Sequence, residues 1–131
     1  MMYREPSDSP WGLVVRCDTL CPGVYSVSTA GHGGIMAQID AARQLLSLEA
    51  QQVGFQAGGY LNFEEDCDAS VALRELMDSG IIAPRTDNYF RPGEYEACID
   101  RSLQHWNPAY WQARQERLSV REAKAAKERE R

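Results

Sequence analysis

The sequence predicts an α+β fold: a small antiparallel β-sheet covered by three to four helices, with an extended helix at the C-terminus. Three observations lead there. Two segments rich in β-branched and aromatic residues, Trp11–Cys17 and Gly23–Thr29, flank the turn pair Pro22-Gly23. Apolar residues recur at helical spacing through Met36–Leu48 and again through Val71–Met77. The chain then ends in a charged stretch, 112–131, that offers little beyond Leu118 and Val120 to bury.

In chain order, Met1–Pro10 is polar, lacks the basic-then-apolar pattern of an export signal, and reads as a flexible N-terminus. Residues 11–17 and 23–29 are expected to pair as a hairpin, with Val24, Ser26 and Ser28 on one face and Tyr25, Val27 and Thr29 on the other. A glycine turn follows. Met36, Ile39, Ala42, Leu45 and Leu46 then mark an amphipathic helix over 36–48. Gly54–Gly59 breaks it, and Tyr60–Phe63 is either a short strand or the approach to the next helix.

That next helix is expected over 64–79, with an acidic start complementing the helix dipole, an apolar stripe of Val71, Leu73, Leu76 and Met77, and Gly80 as its C-cap. Ile81–Pro84 suits an edge strand that turns at Asp87-Asn88 into Tyr89-Phe90. Pro92 opens a helix over 93–105, with Tyr95, Cys98, Ile99 and Leu103 on its apolar face. Asn107-Pro108 opens the last helix, about 109–127, whose final dozen residues are expected to fray or project into solvent. The organisation is therefore an N-terminal segment 1–10, a single domain 11–111 and a charged helical tail 112–131.

At 131 residues the chain can bury a core without metal or disulfide staples. No apolar run reaches the length of a membrane span, so a soluble, cytoplasmic protein without membrane contact is expected. Cys17, Cys21, Cys67 and Cys98 are scattered without C-x-x-C spacing. Free buried thiols are expected, and no cofactor. The net charge of −5 is unevenly spread: residues 1–111 carry seven arginines and no lysine against fifteen acidic residues, whereas 112–131 carry seven basic residues against four acidic. An acidic body argues against direct nucleic-acid contact and favours a basic partner.

Chemistry is concentrated in two segments. His32 lies among Gly31, Gly33 and Gly34, where a flexible backbone at a strand exit could present the imidazole as a general base or metal ligand, or simply reverse the chain. Glu64, Glu65, Asp66 and Asp68 could supply carboxylates to a hard cation together with His32, or remain solvated charges. Cys67 could act as a nucleophile beside His32, although its acidic neighbours oppose thiolate formation and favour a packing role. The glycine run has neither the Gly-Lys-Ser/Thr ending of a phosphate loop nor a dinucleotide fingerprint, and no zinc-deaminase pattern is present. Trp106, Tyr110 and Trp111, next to His105, are core aromatics or a partner-binding anchor.

Trp11-Gly12, the run Val27-Ser28-Thr29-Ala30-Gly31-His32-Gly33-Gly34 and the segment Glu64-Glu65-Asp66-Cys67 occur in that order. Over roughly residues 11–85 the chain resembles a family of short domains found on plasmids, integrative elements and phages of proteobacteria, with a W-G start, a V-x-T-x-x-H-G-G turn and an E-E-D-C segment. The resemblance implies a setting on a mobile element. Small acidic proteins there often serve as accessory or anti-defence factors, including anti-CRISPR inhibitors that bind the basic nucleic-acid-binding surface of a host complex. A protein-binding factor of that kind is the leading expectation, with Asp66, Asp68, Trp106, Tyr110 and Trp111 as binding residues. The alternative is a small metal-dependent or Cys/His hydrolase or modifying enzyme using His32, Glu64, Glu65 and Cys67. It requires His32 and the acidic segment to meet in space.

Overall fold

The computed structural model describes residues 3–130; the first two residues of the expected N-terminal segment and the last residue of the expected tail lie outside that range. The fold is α+β. In chain order the elements are β1 (Asp8–Ser9), β2 (Gly12–Leu13), β3 (Arg16–Cys21), β4 (Val24–Ser28), β5 (Gly33–Gln38), α1 (Ile39–Leu45), α2 (Leu48–Val53), β6 (Phe55–Ala57), β7 (Tyr60–Glu64), α3 (Ala69–Asp78), α4 (Glu94–Trp106) and α5 (Pro108–Arg129). A five-stranded antiparallel sheet runs in the order β3-β4-β5-β7-β6, and β1 and β2 form a separate two-stranded ribbon.

The expected hairpin is present with its first strand moved along the chain. β3 begins at Arg16, not Trp11, and pairs with β4 from Arg16↔Ser28 to Cys21↔Val24, with a bulge between Thr19 and Cys21 and Pro22-Gly23 as the turn. Trp11 is instead freed to cover the sheet. Its ring lies over Gly34 and meets Phe55 edge-on at 6.3 Å.

The largest departure is at 33–38, where a glycine turn followed by a helix from Met36 was expected and the chain forms the central strand β5. This strand is buried from Gly33 to Ala37, with Ile35 on one side of the sheet and Met36 on the other. Burial on both faces removes the polar–apolar alternation that identifies a strand, and the remaining apolar run imitates a helix stripe. The helical part of that segment is shortened to α1, and a second short helix, α2, follows with Ser47 as its N-cap, accepting from the Ala50 N–H at 3.2 Å.

Tyr60–Phe63 is a strand, as one of the two readings had it, and continues to Glu64. Consequently α3 begins only at Ala69, and Glu64, Glu65 and Asp66 lie in a strand and a turn, with no acidic residue in the first helical turn. Gly80 does follow the C-terminus of α3, at φ +75° with its N–H on the Met77 carbonyl at 3.0 Å. No edge strand forms at 81–84. The N–H groups of Ile81 and Ile82 turn back onto the Leu76 carbonyl, so they cannot enter a ladder. Asp87 does turn the chain, its Oδ1 accepting from the N–H groups of Tyr89 and Phe90 at 2.8 and 3.0 Å. Pro92 precedes the next helix without entering it, because Gly93 at φ +88° is the N-cap of α4. Pro108 does occupy the first turn of α5.

The helices cover one face of the sheet. Val24, Ile35, Ala37, Leu61 and Phe63 pack there against residues of α1–α5, including Val71, Leu76, Leu103 and Tyr110. Complete burial of a side chain the size of Phe63 stabilises the fold by roughly 2–3 kcal/mol. The other face is smaller: Tyr25, Val27 and Met36, roofed by Tyr3, Trp11, Val14, Cys17 and Tyr60. The segment before β3 therefore supplies much of that roof.

Polar side chains fix α5. Glu75 of α3 accepts from the Ser47 N–H and the Tyr110 hydroxyl, each at 2.5 Å, and from Arg117 Nη2 at 3.3 Å. Arg114 donates to both oxygens of Asp78 at 2.7 and 3.0 Å. All four cysteines are free, but the expectation that they are buried fails. Cys17, Cys21 and Cys67 are half-buried and Cys98 is exposed; Cys21 and Cys17 pack at the margins of the two apolar clusters and not inside them.

Candidate functional site

Strand register brings the two chemistry-bearing segments together. β5 and β7 pair from Gly34↔Glu64 to Gln38↔Tyr60, and Glu65 N–H donates to the Gly33 carbonyl at 3.0 Å, one step beyond the ladder. One further step places His32 against Asp66. Side chains of His32, Glu65 and Asp66 each offer a ligand atom, all within 4.8 Å of one another, and all three residues are exposed.

Each side of this site is held by local hydrogen bonds. On the β4–β5 turn, Thr29 N–H donates to the His32 carbonyl at 2.8 Å, and Thr29 Oγ1 accepts from His32 N–H at 3.1 Å. The turn joins two strands, so the expected strand-to-helix turn is corrected. Its glycines act through packing: Gly31, Gly33 and Gly34 have no positive φ, while a side chain at Gly34 would strike the Phe63 carbonyl and come within 2.5 Å of the Trp11 ring. On the acidic side, Asp68 N–H donates to the Glu64 carbonyl at 2.9 Å. Asn107, at the α4–α5 corner, then donates from Nδ2 to the Cys67 carbonyl at 3.1 Å and to Asp68 Oδ1 at 3.2 Å.

Glu64 and Cys67 are half-buried beside the site, as is Asp68. Burial pushes the Cys67 thiol up, and Asp68 and Glu64 push it further, so it is a thiol and a poor nucleophile near neutrality. Among the described residues, none of Glu64, Glu65, Asp66 and Asp68 forms an ion pair with an arginine or lysine. Glu65 and Asp66 are exposed to solvent, and Asp68 accepts from Asn107.

The aromatic group divides. Tyr110 is 3 % exposed and belongs to the core, Trp111 is half-buried against it, and Trp106 is 55 % exposed with His105 packed edge-on at 4.6 Å. Sequence reasoning missed Asn107 as the clamp of the acidic turn, and the basic row Arg114, Arg117 and Arg121. The row has a visible signal, since with Tyr110 it repeats at intervals of four, three and four along one helix face.

Fold and site together define a small α+β protein with an exposed histidine–carboxylate turn site at one end of an antiparallel sheet. The chain belongs to the family described as a domain of unknown function, DUF7007, whose model matches residues 4–131 and so includes the C-terminal helices. No curated protein and no solved structure matches the chain.

Proposed function

We propose that this protein is a binding factor: a small acidic accessory protein of a mobile element, of the anti-defence, anti-CRISPR-like kind, acting in the cytoplasm by protein–protein contact. One observation carries the reading. The carboxylates of Glu64, Glu65, Asp66 and Asp68 sit on a turn pinned from two sides, yet no arginine or lysine among the described residues pairs with them. A fixed, uncompensated negative patch complements a basic surface such as the nucleic-acid-binding face of a host defence complex. Trp106, exposed on the same α4–α5 corner that carries Asn107, supplies an apolar anchor. The test is a pull-down from cells carrying defence systems. Wild type should recover a nucleic-acid-binding subunit and Glu65→Lys/Asp66→Lys should not; equal recovery by both would sink the reading.

A second reading is favoured by the 4.8 Å spread of the His32, Glu65 and Asp66 ligand atoms, which suits one divalent ion. Those residues would hold it, and it would supply Lewis-acid chemistry to a hydrolase. Titrating manganese should broaden the His32 resonances of the wild type and leave Asp66→Asn unaffected. A wild type without site-specific broadening removes this alternative.

A further inference from the structure

Between α3 and the middle of α5 lies a cavity of about 210 Å³, walled on its apolar side by Leu45 and Leu118 and on its polar side by Arg114, Arg117, Arg121, Glu75 and Asp78. Most of this charge is already answered. Asp78 takes Arg114 at 2.7 Å and Arg74 at 3.1 Å, and Glu75 takes Tyr110, the Ser47 N–H and Arg117 Nη2. Two groups are left over among the described residues. Arg117 Nε is buried with no hydrogen-bond partner, and Arg121, one turn further along α5, makes no ion pair.

A buried N–H of a charged group without a partner is costly, and an unopposed guanidinium beside it adds positive potential to a small, partly apolar space. The Arg117 charge is already met by Glu75, so what remains is its Nε donor and the positive charge of the exposed Arg121 at the cavity rim. An oxyanion satisfies both, and arginine's planar fork is the side chain best shaped to hold one through paired hydrogen bonds. We propose that the cavity between α3 and α5 is an oxyanion-binding site, in which Arg117 and Arg121 clamp a carboxylate or phosphate group while Leu45 and Leu118 accept the apolar part of its carrier. The site is separate from the acidic turn and does not depend on how that turn is read.

The test titrates the full chain with inorganic phosphate and, in a second arm, with succinate, each at constant ionic strength balanced by chloride. The readout is the Nε–Hε resonance of Arg117. The site predicts a saturable shift, weakened about tenfold in Arg121→Gln, the loss expected when one charge-assisted contact of about 1.4 kcal/mol is removed. Arg117→Lys keeps the positive charge but removes the Nε donor, and should abolish saturation of the shift followed at the Arg121 Nε–Hε resonance, which is read in parallel in the wild type. Tighter binding of phosphate than of succinate identifies a phosphate-bearing ligand, and the reverse order identifies a carboxylate. A shift that grows linearly with both probes overturns the proposal, as does an unchanged affinity in Arg121→Gln with unchanged thermal stability.

Discussion

Gly34 shows how a single missing side chain shapes the molecule. A methyl group there would be driven into the Phe63 carbonyl of the neighbouring strand and into the Trp11 ring above it. Gly34→Ala should therefore destabilise the protein by about 1–3 kcal/mol, the usual cost of overpacking, read as a lower midpoint in urea unfolding. Asp78 makes a prediction in pH. Burial alone would raise its carboxyl, but the hydrogen bonds and charge of Arg114, joined by Arg74, outweigh burial and hold it below the ordinary value of 3.8. A depressed folded-state value means that this stabilisation is complete above the unfolded value and is lost as pH falls through the folded one. Asp78→Asn should cost about 2 kcal/mol near neutrality, between the values for surface and buried pairs, and the difference from wild type should shrink below pH 3.8. Chemical denaturation at pH 7 and pH 3 would measure both.

The helix α5 works as two halves. Its first three turns carry the buried Tyr110 and Arg114 and the contact of Arg117 with Glu75, whereas from Ser119 onward nearly every residue is exposed. Removing residues 119–131 should therefore leave the melting temperature within about 3 °C of wild type, because surface groups away from packing contribute little. A large drop would mean that the outer half is docked. Elements of this kind were legible in the sequence, since period, proline and cap residues all act locally. Helices α4 and α5, the turn at Pro22-Gly23 and the Gly80 cap needed nothing from elsewhere in the chain. Strand β5 did. Its identity depends on β4 and β7 lying on either side and on cover over both faces, none of which a window of ten residues contains. The site inherits the same limit: His32 and Asp66 were each visible, but their meeting follows from a pairing register set by distant residues.

On the scale of the whole molecule, charge is the organising quantity. An acidic body with an unpaired carboxylate turn is joined to a helix whose outer half is basic. If the turn meets a basic partner, association should slow several-fold between 50 and 200 mM salt, with dissociation nearly constant, because screening acts mainly on the encounter. Stopped-flow or surface-based kinetics with the recovered partner would show it, and a salt-independent association rate would contradict it. The topology carries a different consequence, one of time. Strands β3, β4 and β5 follow one another along the chain and can zip locally, but β7 reaches β5 only after residues 39–59 have closed a loop around α1, α2 and β6. Loop closure costs entropy before the contacts it permits begin to stabilise, so the β5–β7 seam should be the late event of folding. Substitutions at Phe63 would then chiefly accelerate unfolding, whereas those at Val27 would slow folding. The turn site, which spans that seam, would come into existence only when the sheet is finished.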